Sequence, residues 1–196
     1  SLSEARRKRL VALSEQYDFI VAADEVYQLL WYYDPPPVAL GSLAVQQGET
    51  GNVVSMGSFS KILAPGLRLG WIQSSPGLIR KMLANGALNS GGCFNHFTSQ
   101  IVHQAIEMGL QDAHLEKLRG AYRGRLETMD SALQSNLGDI ARWRKPLGGY
   151  FFWLMLGDDL DTGVLRKKAG EFATGFQPGA VFSRSDQFHN CLRLSF

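Results

Sequence analysis

Asp24 and Tyr27, the Ser58-Phe59-Ser60-Lys61 segment and Arg68 are residues whose types and spacing suit one kind of chemistry. Each supplies a group that an anionic, nitrogen-containing aromatic cofactor needs. A carboxylate such as Asp24 keeps a ring nitrogen protonated through a charged hydrogen bond. The Tyr27 phenol can donate to a ring oxygen. Ser58 and Ser60 offer hydroxyls, and Arg68 a rigid guanidinium fork, to a phosphate. Lys61, set among cationic neighbours, can lose its proton and attack a carbonyl. Taken singly, each also has a plainer reading: Asp24 as a helix N-cap, Tyr27 as a packing residue with its hydroxyl at the surface, Lys61 and Arg68 as surface cations.

The elements that must position these residues follow from the hydrophobic pattern. Ser3 is placed to cap a helix running to about Gln16. The continuous apolar run Phe19 to Ala23 reads as a parallel strand covered on both faces, ending in Asp24-Glu25-Val26-Tyr27. Asn52 to Gly57 and Leu69 to Ile72 read as two more buried strands. The polar segment Ser58 to Arg68, broken by Pro65-Gly66, lies between them. Alternating helix and buried strand predicts an α/β sheet, and in such sheets ligands bind beyond the carboxyl ends of the strands. Pro35-Pro36-Pro37 is a stiff surface connection.

Beyond Pro76 the pattern changes. Two long helices are expected, Phe97 to Met108 and Ala113 to Gln134, the second charged enough to bridge two domains. Gly148-Gly149, a strand at Tyr150 to Leu156, a helix from Thr162 to Thr174 and a closing strand at Cys191 to Ser195 then predict a smaller α+β domain. The division is put at 1–110 and 111–196.

Composition removes several other classes. The 196 residues are 45% hydrophobic and 19% charged, as in an ordinary globular protein. The net charge is +2 and the basic residues are scattered. The dense cluster Arg6-Arg7-Lys8-Arg9 reads as the solvated face of a helix, so no nucleic-acid partner is expected. Cys93 and Cys191 form no CxxC, and His96 and His103 are spaced unlike helical metal ligands, so no metal is expected. The apolar run Tyr150 to Leu156 is far too short to span a bilayer, and no secretory signal opens the sequence. The expected compartment is the cytoplasm, with no membrane partner.

At the candidate residues a family resemblance becomes specific. Ala23-Asp24-Glu25-Val26-Tyr27, then Gly57 to Trp71 (GSFSKILAPGLRLGW), Gly148-Gly149-Tyr150-Phe151 and the terminal Leu192-Arg193-Leu194-Ser195-Phe196 occur in the order found in class I/II aminotransferases. The SFSK…PGLRLGW block resembles the subgroup of 2-aminoadipate and kynurenine aminotransferases. The resemblance implies part of a fold type I large domain, with a mostly parallel sheet, followed by a smaller C-terminal domain. It implies pyridoxal 5′-phosphate as cofactor, α-amino acid and 2-oxo acid as substrates, and a homodimer. By it, Lys61 is the Schiff-base lysine that also moves the proton. Asp24 pairs with the ring nitrogen and Tyr27 with ring O3′. Ser58, Ser60 and Arg68 hold the phosphate, and Arg193 binds the substrate carboxylate.

The same resemblance sets the family's Asn-Pro-Thr-Gly segment, its glycine-rich phosphate loop, the aromatic that stacks on the ring and the C-terminal helix outside these 196 residues. A partial pocket, holding the cofactor weakly or not at all, is the resulting expectation. Carbon–sulfur lyases and non-catalytic regulatory or dimerisation domains share these motifs and stay open as alternatives. Ser58-x-x-Lys61 also satisfies the SxxK pattern of serine acyltransferases, with Ser185-Asp186-Gln187 a near miss for SDN, but no KTG follows. A P-loop is excluded by the spacing from Gly57 to Lys61.

Overall fold

The computed structural model describes residues 2–46, 51–89 and 94–196. The chain resolves into two compact units, Ser1–Leu118 and Arg119–Phe196.

In the first unit, helix α1 (Glu4–Gln16) buries Arg7, Val11 and Ser14, a stripe at helical spacing. Ser3 has the extended backbone of an N-cap, but its side chain makes no capping bond. Of the basic cluster, Arg6, Lys8 and Arg9 face water as expected, whereas Arg7 turns inward onto Glu25 at 3.0 Å. Strand β1 (Val21–Asp24), helix α2 (Leu40–Gln46) and strands β2 (Val53–Ser58) and β3 (Gly70–Ser74) follow. The sheet order is β1-β2-β3.

The α/β reading holds, with one reversal. β1 and β2 are parallel and β3 is antiparallel to β2. A parallel pair needs a crossover of a dozen or more residues. Glu25 to Asn52, containing α2, supplies one, while Phe59 to Leu69 is a short turn that brings the chain straight back. α2 covers one face of the sheet. Its Gly41 amide donates to Ser55 Oγ at 2.8 Å, and a Cβ at Gly41 would stand 3.2 Å from the Gln73 carbonyl. Val11, Leu40, Leu43, Ala44 and Val53 form the core beneath it, joined by Leu10, Val21 and Ala23.

The expectation of strands buried on both faces is corrected here. β1 alternates between half-buried and exposed residues, and β3 is exposed at all but Ser74. Only β2 is buried along its first three residues. A run of small apolar residues does not by itself reveal which faces of a strand are packed.

Helices α3 (Pro76–Leu83), α4 (Gly86–Asn89), α5 (His96–Glu107) and α6 (Leu110–Leu137) continue the chain. Ser75 caps α3, accepting from the Leu78 amide, with Pro76 at the first helical position. The division between the two units falls within α6. Cys93 lies outside the described residues.

The second unit holds β4 (Ala141–Trp143), β5 (Phe151–Leu156), helix α7 (Thr162–Ala169), β6 (Gln177–Pro178) and β7 (Cys191–Ser195). Its sheet has the order β4-β5-β7-β6 and is antiparallel throughout. Along β5 the alternation is sharp: Phe152 and Leu154 are fully buried, Phe151 and Trp153 half-buried, Met155 exposed. Asp161 caps α7 by accepting from the Gly163 and Val164 amides. Buried Thr162 Oγ1 donates to the carbonyls of His189 (2.8 Å) and Cys191 (2.7 Å), tying α7 to β7. Burial pushes the Cys191 thiol up; a side-chain hydrogen bond with Trp153 opposes this and the Asp158 charge adds to it. No helix among the described residues is long and apolar enough to cross a membrane, and no cluster of metal-ligating side chains occurs among them.

Candidate active site

Because β1 and β2 are parallel, their carboxyl ends meet at one end of the sheet. Asp24 is the last residue of β1 and Ser58 the last of β2. Asp24 is in register with Met56, so Asp24, Met56 and Ser58 lie on one sheet face, opposite the face that α2 covers. β3 begins at that same end with Gly70, in register with Ser58. The segment Phe59 to Leu69 therefore starts and finishes beside Asp24.

That segment is folded around a single carbonyl. Phe59 O accepts from the amides of Ile62 (3.3 Å), Leu63 (2.8 Å) and Ala64 (3.1 Å), and the Phe59 amide donates to Leu69 O at 3.0 Å, closing the loop. Ile62 is buried and pins the turn, while Lys61 beside it is exposed. The buried Gln111 of α6 donates to the Ile62 carbonyl at 3.0 Å.

Two glycines explain the rest of the loop's shape. A Cβ at Gly57 would fall 2.1 Å from the Trp71 ring, and one at Gly70 would lie 2.6 Å from the Gly57 carbonyl. With no side chains there, Trp71 lies over β2 and tilts against Phe59, centroids 4.9 Å apart.

Arg68 is brought back onto the serines. Its backbone is left-handed (φ 50°), uncommon for a residue with a side chain. Its Nη1 donates to Ser60 Oγ and to the Pro65 carbonyl, each at 3.1 Å. Ser58 Oγ accepts from the Ser60 amide at 3.1 Å. Asn95 holds the outside of the loop, donating through Nδ2 to Leu67 O (3.0 Å) and Arg68 O (3.2 Å). Half-buried Ser58 and Ser60 and exposed Lys61 and Arg68 thus form one group at the sheet's end.

Tyr27 sits half-buried in the turn after β1, its carbonyl accepting from the Leu30 amide at 2.9 Å. Glu25 fixes that turn. Its carboxylate takes the Arg7 guanidinium at 3.0 Å and the Leu40 amide at 3.1 and 3.2 Å, and Arg7 also donates to the Val38 carbonyl. Arg193 belongs to the second unit, on β7 in register with Trp153 of β5.

Sequence reasoning missed Glu25, Arg7, Asn95 and Gln111. The first had a signal, since it sits inside the recognised Asp24-to-Tyr27 motif. Asn95 and Gln111 act from far along the chain on backbone carbonyls, which no local pattern announces.

The fold and this loop define a class. The family model for aminotransferase class I and II matches residues 2–196, and the chain belongs to that family. Over its whole length it is 36% identical to aromatic-amino-acid aminotransferase 1 of Thermococcus litoralis, covering 46% of that protein. Among solved structures it superposes on the kynurenine aminotransferase of Pyrococcus horikoshii, in complex with PMP, with a TM-score of 0.89 at 34% identity, covering all of this chain and 47% of that one. It superposes on LysN, the α-aminoadipate aminotransferase of Thermus thermophilus, complexed with N-(5′-phosphopyridoxyl)-L-leucine, with a TM-score of 0.85 at 30% identity, covering 96% and 48%. The chain spans about half the length of these relatives. The kynurenine and aminoadipate enzymes belong to the subgroup that the SFSK…PGLRLGW block resembles.

Proposed function

We propose that the protein is a pyridoxal-phosphate-dependent transaminase, moving an amino group between an α-amino acid and a 2-oxo acid, and that it works as a cytoplasmic homodimer. The observation that carries this reading is the pairing of Arg68 with Ser60 at 3.1 Å beside exposed Lys61, at the sheet end where Asp24 also lies. The donor set fits the cofactor: a cation with two neighbouring hydroxyls for a phosphate, a carboxylate for a pyridine nitrogen, a phenol for the ring hydroxyl and an amine for the carbonyl carbon.

In this reading Ser58, Ser60 and Arg68 hold the phosphate at the β2–β3 loop. Asp24 keeps the ring nitrogen protonated, and Tyr27 donates to O3′. When bound, the cofactor supplies an electron sink for the pair left on the substrate α-carbon. Lys61 Nζ would hold the cofactor's carbonyl carbon and would be the base that moves the proton between the substrate α-carbon and C4′. Arg193 binds the substrate by its carboxylate through its guanidinium fork. Relatives whose names specify aromatic amino acids, kynurenine and α-aminoadipate support an amino-acid substrate of some kind.

The test is spectroscopic and kinetic, on the intact protein as its gene encodes it. The purified protein is expected to carry a visible absorbance band that borohydride removes, and to convert an α-amino acid to its oxo acid. Lys61→Ala is expected to lose both the band and turnover. Retained transamination by that variant would overturn the reading. A colourless wild-type protein that hydrolyses acyl compounds would instead favour the SxxK alternative.

A further inference from the structure

Arg193 has unusual company for a cation. It is half-buried, and among the described residues its guanidinium has no hydrogen-bond or ion-pair partner. Its guanidinium carbon instead stands 4.0 Å from the centroid of the Phe151 ring and 4.5 Å from that of Phe182. Both distances are well inside the range of an attractive cation–ring contact.

The sheet and one tight turn build this arrangement. Phe151 reaches Arg193 diagonally across the β5–β7 pair, being in register with Ser195, while Trp153 is directly opposite Arg193. Phe182 comes from the single turn of 3₁₀ helix Gly179–Phe182. That turn lies hard against β7, since a Cβ at Gly179 would fall 2.4 Å from the Phe188 carbonyl and 2.7 Å from Cys191 Cβ. Phe182 and Phe188 both meet the Trp153 ring edge-on, with centroids 5.6 and 5.8 Å away. Phe182, one of the two rings that flank Arg193, is therefore itself braced by Trp153.

We propose that Phe151 and Phe182 are positioning residues, setting the guanidinium of Arg193 so that its N–H fork is free to take the carboxylate of the amino or oxo acid in a bidentate pair. This rests on the transaminase reading and on Arg193 as its carboxylate-binding residue. A flexible arginine loses side-chain freedom each time it grips a ligand. One held by aromatic faces has lost it beforehand, and ring contacts leave the N–H donors unspent. An ion pair to a resident carboxylate would hold the side chain as firmly but would occupy the fork.

The test uses the intact holoenzyme, with 3-phenylpropionate, a carboxylate lacking the amine, as the probe. Phe182→Leu keeps an apolar side chain and removes the ring; Phe182→Tyr keeps the ring. The Leu variant is expected to weaken 3-phenylpropionate about five- to tenfold and to raise KM for L-phenylalanine by a similar factor, while kcat changes less than threefold. The visible band should stay where it is, and the Tyr variant should bind within twofold of wild type. Phe151→Leu, read in the same way, covers the case in which a Phe182 variant does not fold.

Carboxylate affinity within twofold of wild type in the Leu variants overturns the inference. So does a Tyr variant as weak as Leu, or a wild-type holoenzyme with the visible band and no affinity for 3-phenylpropionate. In each of those outcomes the band and turnover still support the transaminase reading. A wild-type protein lacking the band would overturn that reading and this inference together.

Discussion

Arg68 and Arg193 are held by opposite means. Arg68 lies in an exposed loop, fixed by hydrogen bonds to Ser60 and to the Pro65 carbonyl, and the loop is fixed by its own backbone around Phe59 O. Arg193 lies on a strand, flanked by the Phe151 and Phe182 rings, with a packed sheet behind it. The first region is organised by polar backbone groups, the second by aromatic faces. Hydrogen bonds fix direction, so the first arrangement suits a cation that must stay aligned with two hydroxyls. Ring faces hold a cation without using its donors, so the second suits one whose donors are meant for a ligand.

Three substitutions test this contrast. The largest effect is expected in the packed region. Phe152 is fully buried on the core side of β5, edge-on to Phe196, and Phe152→Ala should cost about 3–5 kcal/mol through lost burial and the cavity left behind. Urea denaturation would measure it, and a loss under about 1 kcal/mol would mean that the strand carrying Phe151 is not held by its core face.

Next comes the polar region. Glu25→Ala leaves Arg7 buried without its carboxylate and frees the Leu40 amide, and should cost about 3 kcal/mol. If the denaturation midpoint barely moves, the Val38 carbonyl satisfies Arg7 alone, and the turn carrying Tyr27 is fixed by something other than this pair.

The smallest effect concerns pH. The Cys191 thiol is raised in the folded protein, so its neutral form favours folding. That contribution is complete below the unfolded thiol value of about 8.5 and is lost as pH climbs through the higher native one. Wild-type stability measured from about pH 7 to 10 should therefore fall more than that of Cys191→Ala. Parallel curves would show that β7 tolerates a thiolate beside Trp153.

The same contrast explains how much could be read in the sequence. The loop from Gly57 to Trp71 was legible through its local devices, glycines where side chains would collide, serines two apart, and an arginine eight residues after the second of them, but not through Asn95 and Gln111, which hold it from outside. Helix α6 and strand β7 were legible from periodicity. The face of the sheet left open around Asp24 was not, because Val21 to Ala23 would look the same with either face packed. Arg7 was misplaced for a related reason, since its partner Glu25 lies eighteen residues away. The neighbours of Arg193 were out of reach altogether, because Phe151 and Phe182 are brought to it by sheet register and by a turn packed against β7.

One feature of the loop bears on the energetics of reaction. Three amides converge on Phe59 O immediately around Lys61, so the backbone that carries the lysine is a fixed origin. If Lys61 takes a carbonyl here, as proposed, only side-chain torsions need be ordered, worth about 2 kcal/mol at most, and no backbone freedom need be given up. In that reading the amine's point of anchorage is set before any ligand arrives.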